Sequence, residues 1–206
     1  GGSFSGNYTI RLGGGEDTLL SAKLKNGDSV DLGDGDDYAF LMLTGGAGTP
    51  TIASADLAKL DGGAGVDTLG FEESGANTGE LTLTSAGATN FENLRGTSGS
   101  ETLKGDNNDN KIIGNGGADT FYGYGGNDTL VAKDTDTTSN TLYGGAGNDT
   151  LIGSNGDDTL DGGTGADTIE TNGGSDTIVL RIGSGGSAIT DADTFKDFTD
   201  GTDLIG

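Results

Sequence analysis

The sequence predicts an all-β chain wound as a parallel β-solenoid. A nine-residue period runs through residues 96–179. A large apolar side chain stands at the eighth position of every unit in that run. Glycine supplies 43 of 206 residues, about three times its usual share. Collagen is excluded, because it needs glycine at every third position with abundant proline, and proline occurs once.

The units begin at Gly96 with GTSGSETLK, GDNNDNKII, GNGGADTFY and GYGGNDTLV. A looser copy ending NTLY follows. Then come GGAGNDTLI, GSNGDDTLD, GGTGADTIE and TNGGSDTIV, ending at Val179. The sixth position holds Glu101, Asn110, Asp119, Asp128, Asn140, Asp149, Asp158, Asp167 and Asp176. Their spacing is nine, with one jump of twelve across 133–139. The eighth position holds Leu103, Ile112, Phe121, Leu130, Leu142, Leu151, Leu160, Ile169 and Ile178.

Each part of the unit predicts a local structure. Glycine accepts positive φ and close backbone approach, so the first six residues form a tight turn. The last three, such as Thr150, Leu151 and Ile152, are extended. Side chains alternate along a strand, so the eighth residue points inward and its neighbours point out. Two units make one coil of about 18 residues, and stacked coils give two parallel sheets around a Leu, Ile and Phe core.

Residues 1–94 carry the same pattern in dispersed form. LGGGEDTLL places Asp17 at the sixth position, LGDGDDYAF places Asp37 there with Ala39 at the apolar position, and GGAGVDTLG does so with Asp67. GGAGTPTIA has Pro50 in place of the acid. The spacings of 20, 13 and 17 predict coils with insertions. Leu81, Thr82 and Leu83 alternate as a strand does, and residues 90–94 lead into the regular run. The expected organisation is an irregular solenoid lead-in over 1–94, a regular roll over 95–180 and a capping flank over 181–206, with a separate β-sandwich as the alternative for the lead-in. Phe195 and Phe198 are placed to cover the open edge that a solenoid leaves.

Charge and composition narrow the function. The net charge is −23, from 33 acidic and 10 basic residues. Such a chain repels nucleic acid and anionic membrane surfaces and attracts cations. No run of 18 apolar residues exists, so membrane insertion is not expected. Histidine and cysteine are both absent, which removes the commonest general base, the thiol nucleophile and the usual zinc ligands. There is no GxSxG elbow, and the glycine-rich stretches lack the Lys-Ser/Thr ending of a phosphate-binding loop. Arg11, Arg95 and Arg181 are too scattered for an anion site, and Asp134 and Asp136 fall in the insertion as a solvated loop. Enzymatic activity is not expected.

The registered units resemble the RTX, or hemolysin-type, calcium-binding nonapeptide repeat, GGxGxD-x-apolar-x. The likeness covers residues 96–179, under half of the chain, and extends in isolated copies to Asp17, Asp37 and Asp67. It implies a β-roll with several Ca2+ ions bound between stacked glycine-rich turns, two repeats apart on one edge. The implied pairs are Asp128 with Asp149, Asp149 with Asp167, and Asp158 with Asp176. Weaker pairs are Asp119 with Asn140, Asn110 with Asp128, and Glu101 with Asp119, since asparagine brings an oxygen without charge. The resemblance also implies a secreted or extracellular chain that folds on meeting calcium. The expected role is a structural module of a surface layer, filament or adhesin, with self-association or other cell-surface components as partners. The alternative is the C-terminal folding module of a hydrolase or toxin exported by type I secretion.

Overall fold

The computed structural model describes residues 9–20, 28–41, 60–71, 79–83, 88–132, 135, 137–180, 193–197 and 203–205. The Pro50 copy, Asp134, Asp136, Arg181 and Phe198 lie outside the described residues. Among the described residues every strand pairing is parallel and no helix occurs.

One face is a continuous nine-stranded sheet. It contains β2 (Thr18–Leu20), β4 (Tyr38–Leu41), β6 (Thr68–Phe71), β8 (Asn93–Arg95), β10 (Lys111–Ile113), β12 (Thr129–Val131), β14 (Thr150–Ile152), β16 (Thr168–Glu170) and β18 (Thr194–Lys196). The opposite face is divided. β1 (Thr9–Gly14), β3 (Ser29–Asp34) and β5 (Leu60–Ala64) form a three-stranded sheet. β7 (Glu80–Thr82), β9 (Thr102–Lys104), β11 (Thr120–Gly125), β13 (Thr141–Ala146), β15 (Thr159–Thr164), β17 (Thr177–Val179) and β19 (Leu204–Ile205) form a seven-stranded one.

Register follows the repeat. Lys111 pairs with Thr129, 18 residues on, and Thr120 pairs with Thr141, 21 on, across the insertion. Upstream, Thr9 pairs with Ser29 and Val30 with Leu60, offsets of 20 and 30. The core column keeps its register across these unequal offsets, because a slip of one residue would turn every core side chain toward solvent. All nine eighth-position residues of the regular run are at most 1 % exposed. Ala39 is fully buried between Leu19 and Leu69 in the same column. Phe195 pairs beside Ile169 and packs partly buried on the core. The flank thus adds a further rung to each sheet through β18 and β19.

The divided face has a local cause. β5 does not pair with β7; Asp61 bridges to Thr89 instead. From Asp61 the turn takes six steps to reach Asp67, whereas from Thr89 it takes three to reach Glu92. The short, glycine-free turn Thr89–Glu92 leaves a notch between its full-length neighbours.

Candidate metal centre

The turns stack along two edges of the solenoid. The edge entered from the divided face carries Asp17, Asp37, Asp67, Glu92, Asn110, Asp128, Asp149, Asp167 and Asp193. The other edge carries Glu101, Asp119, Asn140, Asp158, Asp176 and Asp203. Side chains link these residues coil to coil. Asp149 Oδ1 accepts the Asp128 backbone N–H at 2.8 Å, and Asp167 Oδ1 accepts that of Asp149 at 2.8 Å. Asp176 Oδ1 accepts the Asp158 N–H at 2.8 Å. The three weaker pairs stack in the same way, Asn140 with Asp119 at 2.9 Å, Asp128 with Asn110 at 2.8 Å and Asp119 with Glu101 at 2.7 Å. In the lead-in, Asp37 Oδ1 accepts from Asp17 at 2.7 Å and Asp67 Oδ1 from Asp37 at 2.8 Å.

Three members of these columns lie outside the glycine-rich units of 96–179. Glu92 Oε2 accepts the Asp67 N–H at 2.8 Å, Asp193 Oδ1 that of Asp167 at 3.1 Å, and Asp203 Oδ1 that of Asp176 at 3.2 Å. A search anchored on the glycines passes over them. The signal they do carry is the tripeptide acid-x-apolar, as in Glu92–Leu94 and Asp193–Phe195.

The ladder uses only one oxygen of each carboxylate. The Oδ2 atoms of Asp17, Asp37, Asp67, Asp128, Asp149 and Asp176 are buried with no hydrogen-bond partner. Buried polar atoms in native proteins are normally satisfied, so six repeats of the same exception point to a missing ligand. Burial, which disfavours the charged form, pushes the Asp128 carboxyl up to about 7. Neighbouring Asp149, Asp109 and Asp106 add to this, against the lowering effect of the Asn110 N–H. Burial likewise pushes Asp67, Asp149 and Asp176 up to about 6.

Backbone oxygens converge on the same places. A Cβ added to Gly144 would run into Asp149 Oδ2 and lie 2.6 Å from the Gly162 carbonyl oxygen. On Gly153 it would lie 2.6 Å from the Thr171 oxygen and 2.8 Å from Asp158 Oδ2. The first glycine of a unit is therefore required by the oxygens that crowd its Cα.

Local donors differ from turn to turn, even along one edge, since Asp176 lacks the hydroxyl partner that Asp158 has. Ser154 Oγ donates to Asp158 Oδ2 at 3.0 Å, and the Thr97 hydroxyl donates to Glu101. These acids are satisfied within their own turns, whereas Asp128 and Asp149 are not. Among the described residues no three acidic side chains gather at one point. A cation between rungs therefore relies on two side chains and on carbonyls. Such an all-oxygen donor set suits calcium, which takes 6–8 oxygen ligands from carboxylates and main chain.

A family model, the RTX calcium-binding nonapeptide repeat, matches the chain in four copies over residues 95–130, 134–169 and 152–185. No curated protein matches the chain. The glycine turns, the parallel coils and the acid ladders agree with that match: residues 95–130 and 134–185 match the RTX calcium-binding nonapeptide repeat, and the described residues among them wind as a β-solenoid.

Proposed function

We propose that the chain is a calcium-gated structural module of a secreted or cell-surface protein, of the surface-layer, filament or adhesin type. The observation that carries this reading is the set of bare, buried Oδ2 atoms stacked at Asp17, Asp37 and Asp67 and again at Asp128 and Asp149. Without a cation, each coil buries a carboxylate against its neighbours, inside a chain of net charge −23. An ion that binds only the stacked turns contributes its binding free energy to folding.

In this reading the ligands are Asp17, Asp37, Asp67, Asp119, Asp128, Asp149, Asp158, Asp167 and Asp176, with Glu101, Asn110 and Asn140 as weaker donors and turn carbonyls completing each shell. Residues 1–94 supply lead-in coils, 95–180 the regular roll and 181–206 its cap. The chain is open where calcium is scarce and rigid where it is at extracellular, millimolar levels.

Far-ultraviolet circular dichroism across a calcium titration tests the proposal. A cooperative transition from coil to β, reversed by EDTA, is expected. Magnesium should fail to replace calcium, because it demands tight octahedral geometry and releases water reluctantly. The same β spectrum with and without chelator would overturn the reading.

A further inference from the structure

The notch beside the short Thr89–Glu92 turn is an open cavity of about 590 Å3. Its wall is mixed: Ala88 and Phe91 on one side, Glu92, Asp106 and Asn107 on another, and Tyr124 at the rim. Tyr124 is 44 % exposed.

Tyr124 has a backbone that suits a different residue. Its φ is 75°, in register with Gly145 at 118° and Gly163 at 102°. Asn115 and Asn172 hold the same place in their units at 74° and 65°, and each amide donates to a neighbouring carbonyl at 3.0 Å. Asparagine tolerates that region; a bulky aromatic there is an outlier. Residues held in such conformations gather at functional sites, where the surrounding structure enforces them.

The ring is part of a larger surface. Tyr124 stacks on Tyr122 with centroids 5.9 Å apart, and Tyr122 stacks on Tyr143 at 5.0 Å. Tyr143 lines a second depression of about 210 Å3, together with Asp161 and Thr164. The three tyrosines thus form a row between the two hollows, Tyr124 lining the first and Tyr143 the second, with Lys104 Nζ 5.8 Å from the Tyr122 centroid. Asp106 is fixed at the lip, its two oxygens accepting from Asn108 N at 2.8 Å and Nδ2 at 2.9 Å.

We propose that this strip binds a neutral oligosaccharide. A sugar ring offers an apolar C–H face to an aromatic ring and a belt of hydroxyls to carboxylate and amide edges. Aromatic rings supply rigid amphipathic contact area at small entropic cost. Glu92 and Asp106 in the wall of the first hollow repel uronates and other acidic sugars. Two hollows joined by stacked rings fit several sugar units rather than one.

The calcium-loaded chain is tested by saturation-transfer NMR against cello-, xylo-, manno- and maltohexaose, with oligogalacturonate as the acidic control. Transfer to at least one neutral hexaose and none to the acidic control is expected. Tyr124→Gly restores the residue that the backbone calls for. It should melt no lower than the parent in calcium while weakening that hexaose at least tenfold. Tyr143→Thr, in an extended strand, should weaken it several-fold without touching the turn. Circular dichroism on the same samples reads the fold separately from the binding. The proposal is overturned if no neutral hexaose binds, or if both variants bind as tightly as the parent.

Discussion

Asp149 shows in one side chain what the whole column does. One oxygen holds the Asp128 amide at 2.8 Å, and the other is buried with no partner. Asparagine already occupies the same rung at Asn110 and Asn140, so Asp149→Asn fits the geometry and removes only charge. Two opposite effects are expected. In EDTA the variant should keep more β signal than the parent, because a buried unpaired charge is gone. In calcium its folding midpoint should move to roughly tenfold higher concentration, about 1.4 kcal/mol. Circular dichroism in EDTA and across a calcium titration checks the pair of signs, and a variant with less β signal than the parent in EDTA refutes the assignment.

The same carboxylates set a pH dependence. Their folded values, about 7 for Asp128 and about 6 for Asp67, Asp149 and Asp176, stand above the ordinary 3.8. The folded chain therefore holds more protons than the unfolded one between those values. Stability falls with rising pH wherever the folded state is the better proton binder. In chelator, then, the stabilising effect is complete below the ordinary carboxylate value and is lost as pH rises through 6 to 7. The β signal in EDTA should therefore grow as pH drops from 7.5 toward 5, and a flat profile would count against burial of these groups.

At the scale of a turn and its strand, the glycines are not interchangeable. Gly144→Ala drives a methyl into Asp149 Oδ2 and the Gly162 carbonyl, and should cost about 1–3 kcal/mol as well as calcium affinity. Gly125→Ala, where the nearest atom is 3.5 Å away and the paired residue is already Ala146, should stay within about 0.5 kcal/mol. Urea melts in calcium separate the two. The strands themselves were legible, since a fixed apolar column needs only a period, and Leu103 through Ile178 all lie in it. The turns were legible only where glycine marked them. Glu92 stands nine residues before Glu101 but without the glycines, and Asp193 and Asp203 join the ladders from beyond the regular run. Nor does spacing distinguish Asp158 from Asp149, because the difference is a hydroxyl on Ser154. Tyr124 reads as ordinary variation in GYGGND until its φ is seen.

Over the whole molecule, a coil is held only by its neighbours, so stability is expected to vary along the stack. β1 and β2 expose most of their residues, whereas β11 to β17 each bury a core side chain completely. Hydrogen exchange in calcium should find the amides of Phe121, Leu130, Leu142 and Leu151 slowest. Those of residues 9–20 should exchange fastest among the strands. Uniform protection would mean that the solenoid opens as one unit despite the notch.

The acid ladder also has a sense. From Asp128, Asp149 and Asp167 the motif amide leans on the carboxylate of the coil that follows, and from Asp119 on the Asn140 amide oxygen. Loss of the Asp167 side chain would strand the amide of Asp149, while the Asp167 backbone N–H would still donate to Asp193. Injury in this stack therefore spreads toward the N-terminus. Two lesions of equal chemistry are unequal in consequence, according to how many coils stand upstream of each.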